Sequence, residues 1–137
     1  MQIFASFNQY ADMALLILRV TVGAIFLVHG TAKWPMWKVQ PTAQVPGKML
    51  NILKLLSIVE PLGAVALLSG FLTQAAALGY AIIMLGAIYM KMRVWKSGFT
   101  SKQGTGWEFD FLILAACAAL VILGAGALSL DRVFFKI

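Results

Sequence analysis

Long apolar stretches alternate with short polar ones along the whole chain. A helix needs roughly 20 mostly apolar residues to cross a bilayer, and four segments approach this length. We predict four membrane spans, at approximately residues 13–32, 53–70, 73–91 and 108–130. Between the second and third spans, the sequence SGFLTQ predicts a tight hairpin in which Gly70 ends a helix. The predicted fold class is all-α: an integral membrane four-helix bundle in which residues 1–137 form a single domain.

The composition excludes a water-soluble domain. Hydrophobic residues make up 61% of the chain and charged residues 12%, which is too little polar surface to cover a soluble protein of this size. The single cysteine, Cys117, has no intramolecular disulfide partner, and its role is left open. Thiol redox chemistry of the CxxC type is not indicated.

The net charge of +6 is distributed unevenly between the two faces of the predicted bundle. Eight basic residues lie in the loops after the first and third spans or at the span ends beside them: Lys33, Lys38, Lys48, Lys54, Lys91, Arg93, Lys96 and Lys102. Two others, Arg132 and Lys136, lie on the opposite face. Because basic loops remain in the cytoplasm, we predict a multi-pass protein of the plasma (inner) membrane with both termini on the outer face.

Tryptophans reinforce the basic face. All four fall on or beside it: Trp34, Trp37, Trp95 and Trp107. Indole rings favour the headgroup layer of a membrane, so we expect this collar to contact membrane lipids. A docking surface for a partner is the alternative.

Two charged residues are predicted to lie deep within the first two spans. A charge in the hydrocarbon layer costs on the order of 2.5–3.5 kcal/mol at the centre of a helix, so such residues face the bundle interior. Arg19 and Gly23 share one face of the first span, and Glu60 and Gly63 share one face of the second. We expect these faces to meet and to bury an Arg19–Glu60 ion pair, with either a structural or a catalytic role.

A histidine–lysine pair ends the first span. His29, the only histidine, lies one helical turn before Lys33, and both lie at the predicted depth of Glu108, which opens the fourth span beside Trp107. We predict a polar, ligand-binding pocket at the cytoplasmic mouth, framed by His29, Lys33 and Glu108 with Trp107 beside it. Two alternatives stay open. The charged residues could form an ion-pair cluster that only fixes helix register, and His29 could be an interior residue whose hydrogen bonds are satisfied within the bundle.

Three stretches together resemble the DoxX family of small four-span membrane proteins. They are RVTVGAIFLVHGTAK (19–33), EPLGAVALLSGFLT (60–73) and GTGWEFDFLILAACAALVILGAGALSLD (104–131). The last stretch ends in the Gly-x-Gly-x-x-Ser-x-Asp pattern of Gly124, Gly126, Ser129 and Asp131.

The resemblance implies an accessory role in membrane redox chemistry. Some family members are similar to subunits of thiosulfate:quinone oxidoreductases or accompany terminal quinol oxidases. We therefore expect an accessory or quinone-contacting subunit of a respiratory or sulfur-redox complex, with other membrane or redox subunits as partners. A non-catalytic scaffold or assembly factor is the alternative, and a small-solute carrier ranks third. Whether the chain is an enzyme, and its oligomeric state, are left open.

The expected ligand is a quinone. One histidine and one cysteine cannot supply the paired axial ligands of a membrane haem or the ligands of an iron–sulfur cluster, so we expect no intrinsic cofactor and no metal site. A noncovalent quinone would need an apolar slot, a donor such as His29 or Lys33 for its carbonyl, and aromatic walls such as Phe26 or Trp107. We expect no nucleic-acid partner and assign no catalytic residue.

Overall fold

The structure is a computed structural model and describes residues 6–43, 45–101, 104 and 106–136. Every regular element in these ranges is helical. Four long helices, α1 (Ala11–Thr31), α2 (Gly47–Ser69), α3 (Thr73–Tyr89) and α4 (Glu108–Leu123), are followed by a short helix, α5 (Leu130–Phe135). Two 3-10 helices, Ser6–Tyr10 and Trp34–Lys38, flank α1, and a π-helix, Met90–Val94, continues α3. The predicted all-α membrane bundle is confirmed.

Within the described ranges, three helical stretches are long and apolar enough to span a membrane: Phe7–Lys38, Gly47–Ser69 and Thr73–Val94. The fourth helix, α4, is shorter, with 16 residues or about 24 Å at the usual helical rise. It ends before Gly124, whose φ of 77° and ψ of −160° do not continue a helix and are strained for a residue with a Cβ. The stretch predicted as the fourth span therefore contains a helix followed by an irregular segment, residues 124–129.

The long helices pack as two close pairs, α1 with α2 and α3 with α4. The contact between α1 and α2 requires a glycine at position 30, because a Cβ there would overlap the ring of Pro61. Contacts between α2 and α3 are fewer, and one of them places the Tyr80 ring against Gly63. The bundle therefore consists of two helix pairs joined by a looser seam.

All four helices contribute to the core. The Phe26 ring of α1 stacks on the Tyr80 ring of α3, with centroids 3.6 Å apart and planes 7° from parallel. Leu67 of α2 and Cys117 of α4 are completely buried in the same cluster. Phe26, predicted as an aromatic wall of the pocket, thus belongs to the packed centre of the bundle.

Pro61 creates an attachment point for the loop that follows α1. Proline has no N–H, so the carbonyl of Ser57, four residues earlier, loses its helical donor. The indole Nε1 of Trp34 donates to that carbonyl instead, at 3.1 Å, and Trp37 Nε1 donates to Ser57 Oγ at 2.9 Å. Part of the predicted tryptophan collar therefore fastens the first loop to α2, although both rings remain largely exposed.

We call the end of the bundle that carries Lys33 and Lys91 the basic end, and the end that carries the α2–α3 hairpin the far end. Of the basic residues counted in the sequence, Lys102 lies outside the described residues.

At the far end, the segment after α4 lies against the α2–α3 hairpin. The Asp131 carboxylate accepts hydrogen bonds from the backbone N–H groups of Leu72 at 2.7 Å and Thr73 at 2.9 Å, where α3 begins. α3 has no side-chain cap from its own N-cap residue. Asp131 therefore supplies the acceptor and the negative charge that a helix N-terminus favours, and its own N–H donates to the Gly70 carbonyl at 2.8 Å.

Arg19 is also buried at the far end. Its Nη2 donates to the Leu128 carbonyl at 2.5 Å, and a Cβ on Gly70 would overlap its guanidinium. Gly70 adopts a φ of 69°, as predicted for the end of a helix, so this glycine serves both the turn and the space that Arg19 needs.

The predicted Arg19–Glu60 pair is wrong, because Glu60 pairs with Lys33. The cause is the register of α1 and α2, which meet where Gly30 contacts Pro61. Arg19 lies eleven residues before Gly30, about 16 Å along α1, and therefore reaches the end of α2 and not its middle.

We expect Asp131→Asn to lower the free energy of unfolding by about 1–3 kcal/mol. Both carboxylate oxygens of Asp131 accept a backbone N–H, whereas an asparagine side chain has one oxygen and one NH2 group, which cannot accept. Asp12→Asn is the matched control, since the exposed Asp12 accepts one N–H, that of Ala127 at 2.8 Å. Denaturation in mixed micelles, followed by circular dichroism, measures both. Equal losses in the two variants would show that Asp131 does not hold the start of α3.

Candidate functional site

A cavity of about 500 Å³ lies in the seam between the two helix pairs, at the basic end. Its apolar walls are two helix faces: Met49, Ile52, Leu53 and Leu56 on α2, and Ile83, Gly86, Ala87 and Met90 on α3 and its π-helical extension. Both sets follow the i, i+3, i+4, i+7 spacing of residues on one face of a helix. The polar lining consists of His29, Lys33, Glu60, Lys91 and Asp110, with Trp95 beside them. A mostly apolar cavity with a few charged groups is typical of a small-molecule site.

The first ion pair of the cavity joins α1 to α2. The Lys33 ammonium contacts the Glu60 carboxylate and also donates to the His29 carbonyl at 2.9 Å. The Glu60 side chain is only 4% exposed. The close approach of Gly30 to Pro61 positions this pair, because Lys33 lies one turn beyond Gly30 and Glu60 directly precedes Pro61.

Tyr80 connects this ion pair to the core. Its hydroxyl donates to the Glu60 carbonyl at 2.5 Å, although the two residues lie on different helices. Gly63 leaves the space for this contact, because a Cβ there would lie 2.8 Å from the Tyr80 hydroxyl. The position of Glu60 is therefore set by two neighbouring helices as well as by its own.

The second ion pair joins the end of α3 to α4. The Lys91 ammonium lies 2.7 Å from the Asp110 carboxylate and donates to the Gly106 carbonyl at 3.1 Å. Both side chains are largely buried. Each close helix pair thus carries one lysine–carboxylate pair, and the cavity lies between them.

Two of the predicted pocket residues, His29 and Lys33, line the cavity, whereas Glu108 and Trp107 are absent from its lining. The Glu108 N–H donates to the Phe99 carbonyl at 3.1 Å, where α4 begins. The Trp107 ring packs edge-on against the Phe99 ring, with centroids 4.5 Å apart. Both residues therefore belong to the turn that leads into α4.

Asp110 and Lys91 are charged residues of the cavity lining that the sequence analysis did not assign to the site. Glu108 and Asp110 are two positions apart, roughly 200° around a helix, so the rotation of α4 decides which carboxylate faces inward. The sequence contained one signal: Asp110 shares a face with Ile113, Cys117 and Leu120, which are the buried positions of α4.

Comparisons with known proteins match this sequence to a family. The family model for DoxX matches residues 14–93, more than half of the chain. This range includes His29, Lys33, Glu60 and Lys91 and stops before Asp110.

Two curated relatives cover nearly the whole chain. A protein of Haemophilus influenzae named "Uncharacterized protein" is 28% identical over 129 residues, which are 94% of this chain and 96% of the relative. A protein of Bacillus subtilis named "Putative oxidoreductase CatD" is 29% identical over 133 residues, 94% of this chain and 92% of the relative. No solved structure matches. On the strength of the family model, this chain belongs to the DoxX family.

Proposed function

We propose that the chain is an accessory, quinone-contacting subunit of a respiratory or sulfur-redox complex in the plasma (inner) membrane. The observation that carries the proposal is the apolar cavity with two lysine–carboxylate ion pairs in its lining. Its volume, about 500 Å³, falls within the roughly 300–1,000 Å³ of small-molecule sites. A quinone has an apolar ring that fits apolar walls and carbonyl oxygens that need hydrogen-bond donors away from water.

Lys33 supplies a donor of the right kind. An ammonium group has three N–H donors, and two of those on Lys33 donate to Glu60 and to the His29 carbonyl. A third is left for a ligand carbonyl. Hydrogen bonds from charged donors are shorter and stronger than neutral ones, so one such contact would orient a quinone ring.

The charges of the cavity favour a neutral ligand. Lys33 and Lys91 are each matched by a carboxylate, Glu60 and Asp110, so the two pairs cancel. An ionic ligand would lose its hydration without meeting a net opposite charge, whereas a quinone pays no such cost. This balance favours a quinone over an ionic solute.

The redox part of the proposal is supported by a relative. The name of the Bacillus subtilis protein assigns that protein to the oxidoreductases, and we extend this class to the present chain. The chain's own residues would bind and orient the quinone ring, and a redox subunit bound to this chain would exchange the electrons. Other membrane or redox subunits are therefore the proposed partners.

The proposed orientation places the basic end in the cytoplasm and both termini on the outer side. It is supported by the excess of lysine and arginine in the loops of the basic end and by the tendency of such loops to remain cytoplasmic.

Gly86→Leu tests the ligand site, with Gly79→Leu as the matched control. Both glycines lie on α3, and a Cβ added to either meets no atom within 4 Å, so the first carbon of a side chain fits at both positions. Only Gly86 lines the cavity. We expect Gly86→Leu to weaken the binding of decylubiquinone by about tenfold or more, because its side chain occupies ligand space. Gly79→Leu should leave the affinity unchanged in equilibrium titrations on protein in lipid nanodiscs. Equal affinities in both variants would contradict the site.

A second prediction concerns the ion pair. Glu60→Leu alone leaves Lys33 unpaired in an apolar setting and should cost about 3–5 kcal/mol of unfolding free energy. Adding Lys33→Met removes the orphaned charge, so the double variant should recover most of that loss while binding decylubiquinone at least about tenfold more weakly. Thermal unfolding and quinone titration of the same samples measure both effects. A double variant with wild-type affinity would exclude Lys33 as the donor.

Cysteine accessibility tests the orientation. In a Cys117→Ala background, Lys48→Cys at the basic end should react with a membrane-impermeant maleimide only after the cells are opened. Arg132→Cys, an exposed position at the far end, should react in intact cells. The reverse pattern would invert the proposed topology.

A further inference from the structure

We infer that the ligand of the cavity carries an apolar tail and that this tail leaves the protein between α2 and α3 into the bilayer. The inference rests on the proposed quinone site. It adds the class of quinone, a membrane-borne molecule with an alkyl or prenyl chain, and the route by which that molecule enters.

The seam between α2 and α3 is closed on one side of the cavity and open on the other. Toward the far end, the Tyr80 ring fills the space beside Gly63, and its hydroxyl bonds to the Glu60 carbonyl. Two turns further along α3, Gly86 lines the cavity, and a Cβ there would meet no atom within 4 Å. The two helices therefore make contact near Tyr80 and leave a gap near Gly86.

The gap reaches the outer surface of the bundle. Ile52 lines the cavity and is nevertheless 53% exposed, and Gly86 on the opposite wall is exposed as well. The adjoining surface is apolar, with Leu55 on α2 and Leu85 on α3 both largely exposed. Because α2 and α3 are long and apolar enough to span a membrane, we expect this opening to face lipid rather than water.

The charged groups of the cavity lie on the other side, toward α1 and α4. Lys33 follows α1 and Asp110 lies on α4, and Glu60 and Lys91 are drawn toward them by ion pairing. A ligand with one polar and one apolar end therefore places its polar end against these pairs and its apolar end at the gap. A phospholipid also has apolar tails, but its ionic headgroup fits poorly where the paired charges cancel, so the occupant is a tailed quinone.

Photo-crosslinking in nanodiscs tests the inference. Two probes are compared: a decyl-tailed benzoquinone with a diazirine at the end of its tail, and the same quinone with the diazirine on its ring. Probe molecules dissolved in the bilayer label every exposed helix face. Specific labelling is therefore defined as the labelling that an excess of unlabelled decylubiquinone suppresses, and only this labelling is counted. We expect the suppressed labelling of the tail probe to map to α2 and α3, around Ile52 and Gly86, and that of the ring probe to the cavity interior.

The outcomes separate the two proposals. If decylubiquinone suppresses no labelling by the ring probe, or if only excess phospholipid does so, the proposed quinone site fails. If the ring probe is displaced but the suppressed labelling of the tail probe lies on α1, on α4 or on the loops of the basic end, the quinone site stands and the exit between α2 and α3 is wrong.

A matched pair of variants provides a second measurement. Ile52→Trp narrows the gap, whereas Leu55→Trp places the same ring on the same helix at an exposed position outside the cavity lining. We expect Ile52→Trp to weaken decylubiquinone binding by about tenfold. Affinities are expressed as quinone concentrations within the membrane, so that differences in how the two quinones partition between water and lipid do not affect the comparison. The tailless 2,3-dimethoxy-5-methyl-1,4-benzoquinone should lose less affinity than decylubiquinone in Ile52→Trp, because it has no tail to pass the gap, and Leu55→Trp should bind both quinones as the wild type does. Equal weakening of the tailed and tailless quinones by Ile52→Trp would overturn the exit route.

Discussion

A charge inside an apolar bundle needs a partner, because lipid and packed side chains offer neither water nor counterions. The acidic residues that are buried in the described ranges meet this need on elements other than their own: Glu60 with Lys33, Asp110 with Lys91, and Asp131 with the first backbone N–H groups of α3. Arg19 likewise bonds to a carbonyl of the segment after α4. Each buried charge therefore connects two elements, and these connections stabilise the placement of the helices along one another.

The contact between Gly30 and Pro61 shows how one local feature serves several purposes. The glycine lets α1 approach the proline ring closely, and that approach brings Lys33 to Glu60. The missing N–H of Pro61 leaves the Ser57 carbonyl without a helical donor, and Trp34 uses it to fasten the following loop. The polar side of the cavity and the position of the first loop thus depend on the same two residues.

The cavity results from where these connections lie. Each lysine–carboxylate ion pair lies within one of the close helix pairs, α1 with α2 or α3 with α4. The seam between the pairs is closed by Tyr80 against Gly63 and Glu60, and beyond that point its α2 and α3 walls are formed mainly by apolar side chains and glycine. A gap in this seam costs little in a membrane, because lipid chains can fill space that water would occupy in a soluble protein. An apolar cavity with charges on one side is the consequence, and this arrangement suits an amphipathic, uncharged ligand.

Features that depend on local chemistry could be predicted from the amino-acid sequence. The apolar runs and low charge required a helical membrane bundle, Gly70 marked the end of α2, and the spacing of His29 and Lys33 placed both at one site. Which charges meet depends on the packing of the helices and could not be predicted in this way. Arg19 and Glu60 were paired in the prediction because both face inward, but the register set at Gly30 moves Arg19 to the far end. Asp110 was overlooked in favour of Glu108 because helical spacing does not reveal the rotation of α4. Asp131 caps a helix that begins 58 residues earlier in the chain, and no local pattern contains that contact. Periodicity describes one helix at a time, whereas register and rotation depend on the packing of several helices at once.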